Sequence, residues 1–215
     1  MNNYSLKKGI VLTTRSEQKL KTRRALLDGA LQLLSSERVF SSLSLREVTR
    51  AAGIAPTSFY RHFDDMNDLG LALVEEAGLT LRQLLRKART RIKEKGTAID
   101  TSVDTFMEYL VNNTNLFRLL LREHTGNSVE FRIAINLEIQ HFVTELEDFL
   151  KRRESDPENQ AVLDQEKINA LAEAMVTIVF HMGGLALDSS KNEREALAQK
   201  AKLQLRMLLK GAKLN

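Results

Sequence analysis

Apolar residues recur every three to four positions along most of this chain, which is the spacing of one face of an α-helix. The pattern predicts helices at about residues 16–37, 44–52, 56–63, 66–95, 99–112, 115–125, 128–152, 164–188 and 193–211. The first of them repeats apolar residues at Leu20, Ala25, Leu27, Ala30, Leu31 and Leu34. In the seventh, the apolar positions follow steps of four and three, which predicts a stripe facing a core. These positions are Ile135, Ile139, Phe142, Leu146 and Phe149.

The clearest local signals lie between residues 44 and 63. Ser44 and Glu47 have the spacing of a capping box, in which each side chain accepts a hydrogen bond from the backbone N–H of the other residue. Gly53 tolerates the left-handed conformation and predicts the end of this short helix. Pro56 suits the first position of the next helix, because no intrahelical partner awaits its missing N–H. Asp65 is placed to cap the long helix that follows.

The third helix has an apolar and a polar face. Phe59 and Phe63 are four residues apart, so the pattern predicts that both point inward. The positions left to face outward are Thr57, Ser58, Tyr60, Arg61 and His62. Two short helices joined by a glycine-containing turn, with such side chains on the second, are typical of a helix-turn-helix, although a generic helical hairpin shares the periodicity.

Composition narrows the class of protein. The chain has 215 residues, 43% of them hydrophobic and 28% charged, with only two Pro and ten Gly, which favours a globular, all-helical fold. It contains no Cys, so disulfides, thiolate-ligated metals and thiol catalysis are excluded. The longest uncharged apolar run, residues 174–187, is shorter than the roughly 18–20 residues that cross a bilayer. No secretory leader is recognisable, so we expect a cytoplasmic protein without a membrane segment.

Charge is distributed unevenly. Residues 1–62 contain eleven Lys and Arg against four Asp and Glu, whereas residues 63–215 contain 21 basic and 24 acidic side chains. A basic N-terminal quarter on a mildly acidic remainder is typical of a nucleic-acid-binding head on a separate domain. A solvated basic surface is the alternative that charge alone leaves open. Residues 1–15 are predicted to form a flexible basic arm.

Several runs resemble the DNA-binding domain of the TetR family over about residues 17–77. They are Ser44-Leu45-Arg46-Glu47-Val48, Ala52-Gly53-Ile54 and Ser58-Phe59-Tyr60-Arg61-His62-Phe63. The resemblance implies an all-α, TetR-like fold with a helix-turn-helix head at residues 16–77 (motif 44–63) and an effector-binding and dimerisation domain at 78–215. It also implies that Tyr60 and His62 contact DNA phosphates, and that Arg46 lies near the DNA backbone. Thr57, Ser58 and Arg61 would face bases or backbone.

Two positions depart from the family pattern. Ala55 stands where the family often has a Ser cap, and Met66 stands where a Lys often begins the fourth helix. We expect Pro56 to compensate for the first departure. The second removes one usual phosphate contact.

The C-terminal half resembles a narrower group, the TetR-family repressors of unsaturated fatty acid synthesis in proteobacteria. The runs that carry this resemblance are residues 105–108, 117–123, 138–142, 173–180 and 205–207. They imply a homodimer on a palindromic operator of double-stranded DNA, with no cofactor. The implied effector is a long-chain acyl thioester of CoA or acyl carrier protein, unsaturated chains favouring DNA binding. The alternative is a TetR-type repressor of an efflux or detoxification gene that responds to another apolar small molecule.

Candidate effector and dimer residues follow from this half. The side chains that could line an acyl pocket, or simply fill a core, are Phe106, Leu110, Phe117, Leu120, Phe142 and Leu146. The dimer interface is predicted to include His181, Gly183 and Gly184, because small residues permit close approach of helices; a helix break at the two glycines is the alternative. Glu138 and His141 form one isolated Glu-x-x-His, which we interpret as a surface polar pair. We expect no metal site, and the absence of catalytic motifs predicts that the protein is not an enzyme.

Overall fold

The computed structural model describes residues 14–35, 37–90, 98–124, 128–154 and 163–212, and within these ranges the regular structure is helical. The helices are α1 (Arg15–Leu33), α2 (Leu45–Ala51), α3 (Pro56–Phe59), α4 (Met66–Thr90), α5 (Ala98–Asn112), α6 (Thr114–His124), α7 (Val129–Glu154), α8 (Gln165–Ala186) and α9 (Lys191–Ala212). A short 3₁₀ turn, Phe40–Ser42, precedes α2. The predicted all-α fold class is therefore confirmed. The predicted N-terminal arm lies outside the described residues except for Thr14 and Arg15, which begin α1.

The first helix differs from its prediction at both ends. It stops at Leu33 instead of residue 37, because the Ser35 hydroxyl accepts hydrogen bonds from the backbone N–H groups of Glu37 (3.2 Å) and Arg38 (3.1 Å). Such a local side-chain bond competes with the helical ladder. Leu20, which the periodicity assigned to the apolar stripe, is exposed in the first turns.

Local capping signals between residues 44 and 65 are confirmed. The Ser44 Oγ accepts from the Glu47 N–H at 3.4 Å, and the Glu47 carboxylate accepts from the Ser44 N–H at 2.9 Å. Gly53 has φ +66°, the left-handed value expected after a helix end. Pro56 occupies the first turn of α3, and Ala55 supplies no side-chain cap. Asp65 accepts from the Asp68 N–H at 2.8 Å at the start of α4.

Two hydrophobic clusters organise the molecule. The head core consists of buried side chains from α1 to α4, together with Leu116, Leu119, Phe131 and Ile135 from α6 and α7. The body core is formed by α4, α5 and the later helices. Helix α4 belongs to both, since its buried residues up to Ala77 lie in the head core and those from Leu81 onward lie in the body core. This helix therefore connects the two parts of the protein mechanically, and the domain boundary after residue 77 stays a prediction.

Helix α8 is an exception to the expectation about membrane segments. Among the described residues, it is long and apolar enough to span a bilayer by length and composition alone. Its buried side chains, which include Ile168, Leu171 and Met175, belong to the body core. A core helix of a globular protein meets the same criterion.

Candidate nucleic-acid interface

The short helix α3 is anchored by its two phenylalanines. Phe59 and Phe63 are 0% and 2% exposed, and their ring centroids lie 5.7 Å apart. The prediction that both point inward is confirmed. The chain leaves the regular helix after Phe59, but hydrogen bonds from the N–H groups of His62 and Phe63 to the Phe59 carbonyl, at 2.9 and 3.1 Å, continue the turn.

The polar side chains of this segment face solvent. Tyr60 is 65% exposed, and Thr57 and Arg61 are exposed as well. Ser58 and His62 are half-buried. Arg46 is exposed on α2, the helix that packs against α3. All six residues predicted to meet DNA thus lie on α2, on α3 or in the turn after it, with side chains accessible to a ligand; their roles on DNA stay predictions.

Arg23 of α1 holds the end of this segment, a role that the sequence analysis missed. Its Nη1 donates to the His62 carbonyl at 2.9 Å, and its guanidinium carbon lies 4.3 Å from the centroid of the Phe63 ring. The apolar stripe of Leu27, Ala30 and Leu34 extends back to position 23 at helical spacing. This spacing is the feature of the sequence that could have indicated that Arg23 faces the head core. Arg23 fixes where the polar turn sits relative to the head core.

The electrostatic environment of His62 is suited to an anion. Partial burial of the ring, together with the nearby cations Lys19, Arg23 and Arg61, holds the pKa of His62 below its usual value. Within the described structure its Nδ1 is buried without a hydrogen-bond partner. An approaching phosphate would oppose this shift and favour protonation of the imidazole.

The start of α2 is fixed by a hydrogen-bonded carboxylate. Hydrogen bonds from the Ser44 hydroxyl and backbone N–H, and then from Arg38, lower the pKa of Glu47 to about 2. Because Arg38 lies in the loop before α2, this contact ties the loop to the helix. These hydrogen bonds therefore also fix the backbone at Arg46, the residue before Glu47.

A family comparison agrees with this geometry. Residues 26–73, which contain α2 and α3, match the family described as "Bacterial regulatory proteins, tetR family". Over these residues the chain is similar to that family. Members of the family are transcriptional regulators with a DNA-binding helix-turn-helix, and they are generally not enzymes.

Solved structures extend the likeness in fold to most of the chain. A TetR-family transcriptional regulator from Streptomyces coelicolor is 16% identical, with 90% of this chain and 82% of that one covered and a TM-score of 0.67. A TerR/AcrR-family regulator from Aquifex aeolicus is 19% identical, with 87% and 99% covered and a TM-score of 0.66. The fatty acid degradation regulator FadR from Bacillus halodurans is 16% identical, with 86% and 94% covered and a TM-score of 0.64. At these identities the likeness concerns the fold alone.

Most of the predicted effector residues lie in the body core. Phe106, Leu110, Phe117 and Phe142 are buried there, and Leu146 packs against the same cluster. Phe180 of α8, which the sequence analysis did not select, joins them: its ring centroid lies 5.6 Å from that of Phe106 and 5.5 Å from that of Phe142. The pocket role of these residues stays a prediction.

Leu120 lies apart from the other five candidates. It packs against the head core and not against the body core that contains the other five candidates. Phe117, three positions earlier on α6, lies in the body core. The rotation of the helix between positions 117 and 120 therefore directs the two side chains into different clusters. Periodicity identifies both residues as apolar but does not say which cluster each one faces.

The structure also contains a small cavity between the head and the body that the sequence did not predict. Its volume is about 170 Å³. It is lined by Arg24, Leu27, Leu31, Leu73, Glu76, Ala77, Thr80, Tyr109, Asn113 and Leu116. None of the six predicted effector residues lines this cavity.

The two adjacent glycines of α8 have different surroundings. Gly183 is buried, and a Cβ built on it would lie 2.7 Å from Phe106 Cε1 and 3.1 Å from Leu110 Cδ1. The close approach at this position is therefore made within the chain, which corrects the reason for its assignment to a dimer interface. Gly184 is half-buried with Leu121 Cδ1 at 3.7 Å, and His181 is exposed. Dimer contacts by His181 and Gly184 stay predictions.

The Glu-x-x-His pair also needs a correction. Glu138 is a buried residue, and its carboxylate pairs with Arg82 of α4. His141 Nδ1 lies 3.3 Å from the other carboxylate oxygen. Gly78 lies directly against this carboxylate, so a side chain at position 78 would overlap it. The carboxylate of the pair is thus part of the α4–α7 contact, whereas the His141 side chain is 44% exposed. The described residues hold no cluster of three or more His, Asp or Glu suited to a metal ion.

Proposed function

We propose that this protein is a TetR-family regulator, a dimeric repressor of unsaturated fatty acid biosynthesis genes of the type represented by FabR, and that long-chain acyl thioesters set its affinity for a palindromic operator. The observation that carries the proposal is the position of α4. This helix contributes Ala77 to the head core and Leu81 to the body core that contains the phenylalanine cluster. A ligand that rearranges the cluster would therefore act on the head.

The head supplies the DNA contacts. Tyr60 and His62 would bind phosphates, which fixes the position of the protein without reading sequence. Arg61 can reach a guanine edge in the major groove, and Thr57 and Ser58 can contact bases or backbone. In a dimer the two copies of α3 would enter major grooves that are roughly 34–36 Å apart on a palindrome.

The exposed apolar surface of α8 and α9 supports dimerisation. These two helices pack against each other and carry Leu185, Leu203 and Met207, which are 50%, 57% and 65% exposed. Large exposed apolar side chains on neighbouring helices favour burial against a second copy. His181 and Gly184 of α8 would lie in the same interface.

The dimer is tested by sedimentation. We expect Met207→Glu to shift the protein to a monomer, because burying the new charge in the interface is costly. Ile133→Glu on α7 is the matched control, since Ile133 is equally exposed in the structure (64%) but lies on another helix. A dimer that survives Met207→Glu and dissociates with Ile133→Glu would place the interface on α7.

The phenylalanine cluster offers a physical basis for acyl discrimination. A straight saturated chain and a cis-kinked chain differ in shape but hardly in hydrophobicity, so only a closely packed wall can distinguish them. Phe106, Phe142 and Phe180 would form such a wall, since the Phe180 ring contacts the other two rings. The bound chain must then favour one head spacing, by no more than its difference in affinity between the two states.

The function is tested by a gel mobility shift on promoter fragments of fatty acid synthesis genes. We expect unsaturated long-chain acyl thioesters to strengthen binding, and saturated ones to compete without strengthening it. Leu146→Phe should blunt this discrimination by narrowing the body core. Leu120→Phe is the control, since the same change is made against the head core. If neither thioester alters operator affinity at micromolar concentrations, acyl sensing is wrong and only the DNA-binding repressor remains of the proposal.

A further inference from the structure

The small cavity between the head and the body, called the junction cavity below, lies where the two hydrophobic cores meet. Helices α1 and α4 contribute Leu27 and Ala77 of the head core to its wall, α5 contributes Tyr109 of the body core, and α6 completes it. Beside it, Asn115 Nδ2 of α6 donates to the carbonyl of Leu31, in the last turn of α1, at 3.0 Å. A molecule in this cavity would therefore contact the head and the body at once.

The size of the junction cavity suits one small ring. An apolar cavity of about 150 Å³ can bind benzene, so a volume of about 170 Å³ leaves room for a six-membered ring with one small substituent. The leucines of α1, together with Leu73 and Ala77 of α4 and Leu116 of α6, supply an apolar wall for such a ring. A long acyl chain exceeds this volume.

One side of the cavity carries hydrogen-bonding groups. Tyr109 is buried, and its hydroxyl is hydrogen-bonded to the Thr80 side chain. Burial raises the pKa of Tyr109 above its usual value, against the opposing effects of Thr80 and Arg24, so the phenol keeps its proton at neutral pH. Asn113 Nδ2 donates to the Tyr109 carbonyl at 2.8 Å, which fixes an amide near the two hydroxyls. A ligand with a hydroxyl of its own could bond these groups, whereas a purely apolar one would leave them unsatisfied.

An ion pair lies at the entrance of the cavity. Arg24 of α1 pairs with Glu76 of α4, and its Nε lies 2.9 Å from Asp28 Oδ1. The side chains of Arg24 and Glu76 are 57% and 41% exposed, so this edge of the cavity faces solvent. Exposed ion pairs contribute little free energy, so a ligand can pass this one at a small cost. The charged groups at the entrance pair with one another, which favours a neutral ligand inside.

We infer that the junction cavity is a second regulatory site, which binds a small neutral molecule with one ring and one hydroxyl group, such as a phenol. Among the described residues, its wall includes none of Phe106, Phe142 and Phe180, so the inference does not rest on acyl sensing. The ring would pack against the leucines, and its hydroxyl would bond Tyr109 or Thr80. Because such a ligand links α1 to α5, it favours one arrangement of the head relative to the body and is thereby coupled to DNA binding.

Binding is tested by fluorine NMR with 4-fluorophenol and with fluorobenzene, which has the same ring without the hydroxyl. For the full chain we expect 4-fluorophenol to bind with a Kd of about 0.1–1 mM, within reach of so small a ligand. Fluorobenzene should bind about three- to tenfold more weakly, the effect of one missing hydrogen bond. The nearly isosteric double variant Tyr109→Phe/Thr80→Val should abolish this preference without weakening fluorobenzene.

Filling the cavity provides an independent check. Ala77→Leu places a larger side chain in the space and should weaken 4-fluorophenol more than tenfold. Ala72→Leu is the matched control, since Ala72 lies on the same helix and packs against the head core but does not belong to the wall of the cavity. Circular dichroism shows whether both variants keep their helices. If Ala77→Leu does not fold, the two probes and the double variant decide the question.

Coupling to DNA is measured with the same probe. When a bound promoter fragment is present, the Kd of 4-fluorophenol should change about fivefold or more, a usual size for coupling between two sites. Saturating 4-fluorophenol should change the affinity for the fragment by the same factor, because such coupling is reciprocal.

Several outcomes would overturn the inference. If neither probe binds, or if Ala77→Leu and Ala72→Leu have equal effects, the junction cavity is only a hydrated space. Equal affinity for the two probes would refute the hydroxyl-bearing class of ligand. Binding that DNA does not alter would refute the regulatory role. Each of these results leaves the proposed acyl-sensing repressor intact, and a failure of acyl thioesters to act would leave the junction site intact.

Discussion

Replacing Gly183 by alanine should leave the protein less stable than the same change at the adjacent Gly184. Both glycines lie in the last turn of α8, so each variant gains about 1 kcal/mol of helix propensity, and this gain cancels when the two are compared. The remaining difference comes from the space available to one methyl group.

That space differs sharply between the two sites. At Gly183 the new Cβ would lie 2.7 and 2.8 Å from two carbons of the Phe106 ring, and this ring cannot move aside, because Phe117 and Phe180 contact it with centroids at 5.5 and 5.6 Å. Overpacking of a close-packed core costs about 1–3 kcal/mol. At Gly184 the nearest atom, Leu121 Cδ1, lies at an ordinary contact distance of 3.7 Å.

We therefore expect Gly184→Ala to be more stable than Gly183→Ala by about 1–3 kcal/mol. For a protein of this size the difference corresponds to roughly 2–12 °C in Tm. Thermal unfolding followed by circular dichroism measures it, with both variants at the same concentration because the Tm of a dimer depends on concentration. Equal Tm values, or a higher Tm for Gly183→Ala, would refute the packing argument. A difference that grows on dilution would return Gly183 to a subunit interface.

Three further predictions concern the head. Operator affinity should rise as the pH falls toward and below 6.5, because a DNA phosphate beside His62 would raise the lowered pKa of its imidazole and binding would then take up a proton. Binding titrations of His62→Gln at several pH values should show that this part of the pH dependence is lost. Tyr60→Phe should weaken binding to operator and random DNA alike, while Arg61→Ala should cost about 1–3 kcal/mol on operator alone; equal losses for Arg61→Ala would show a backbone contact. Because the pKa of Glu47 is lowered to about 2, its stabilisation is complete above pH 4.5 and is lost as the pH falls toward 2. Glu47→Gln should remove this part of the acid sensitivity in thermal unfolding, and an unchanged pH profile would contradict the assignment.

The local structure of this protein is determined by its sequence. The capping box of Ser44 and Glu47, the left-handed Gly53 and the inward pair Phe59 and Phe63 all depend on residues within four positions of each other. Caps, glycine conformations and helical periodicity act over one turn, so they can be inferred without knowing how the helices pack.

Packing partners were decided only by the tertiary structure. Leu120 and Phe117 are apolar neighbours on one helix, yet they belong to different cores. Arg82 and Glu138, 56 positions apart in the chain, form one buried pair. Gly183 is small because Phe106, on another helix, lies against it. Such contacts depend on the rotation and crossing of whole helices, which many side chains set together, and no local pattern contains that information.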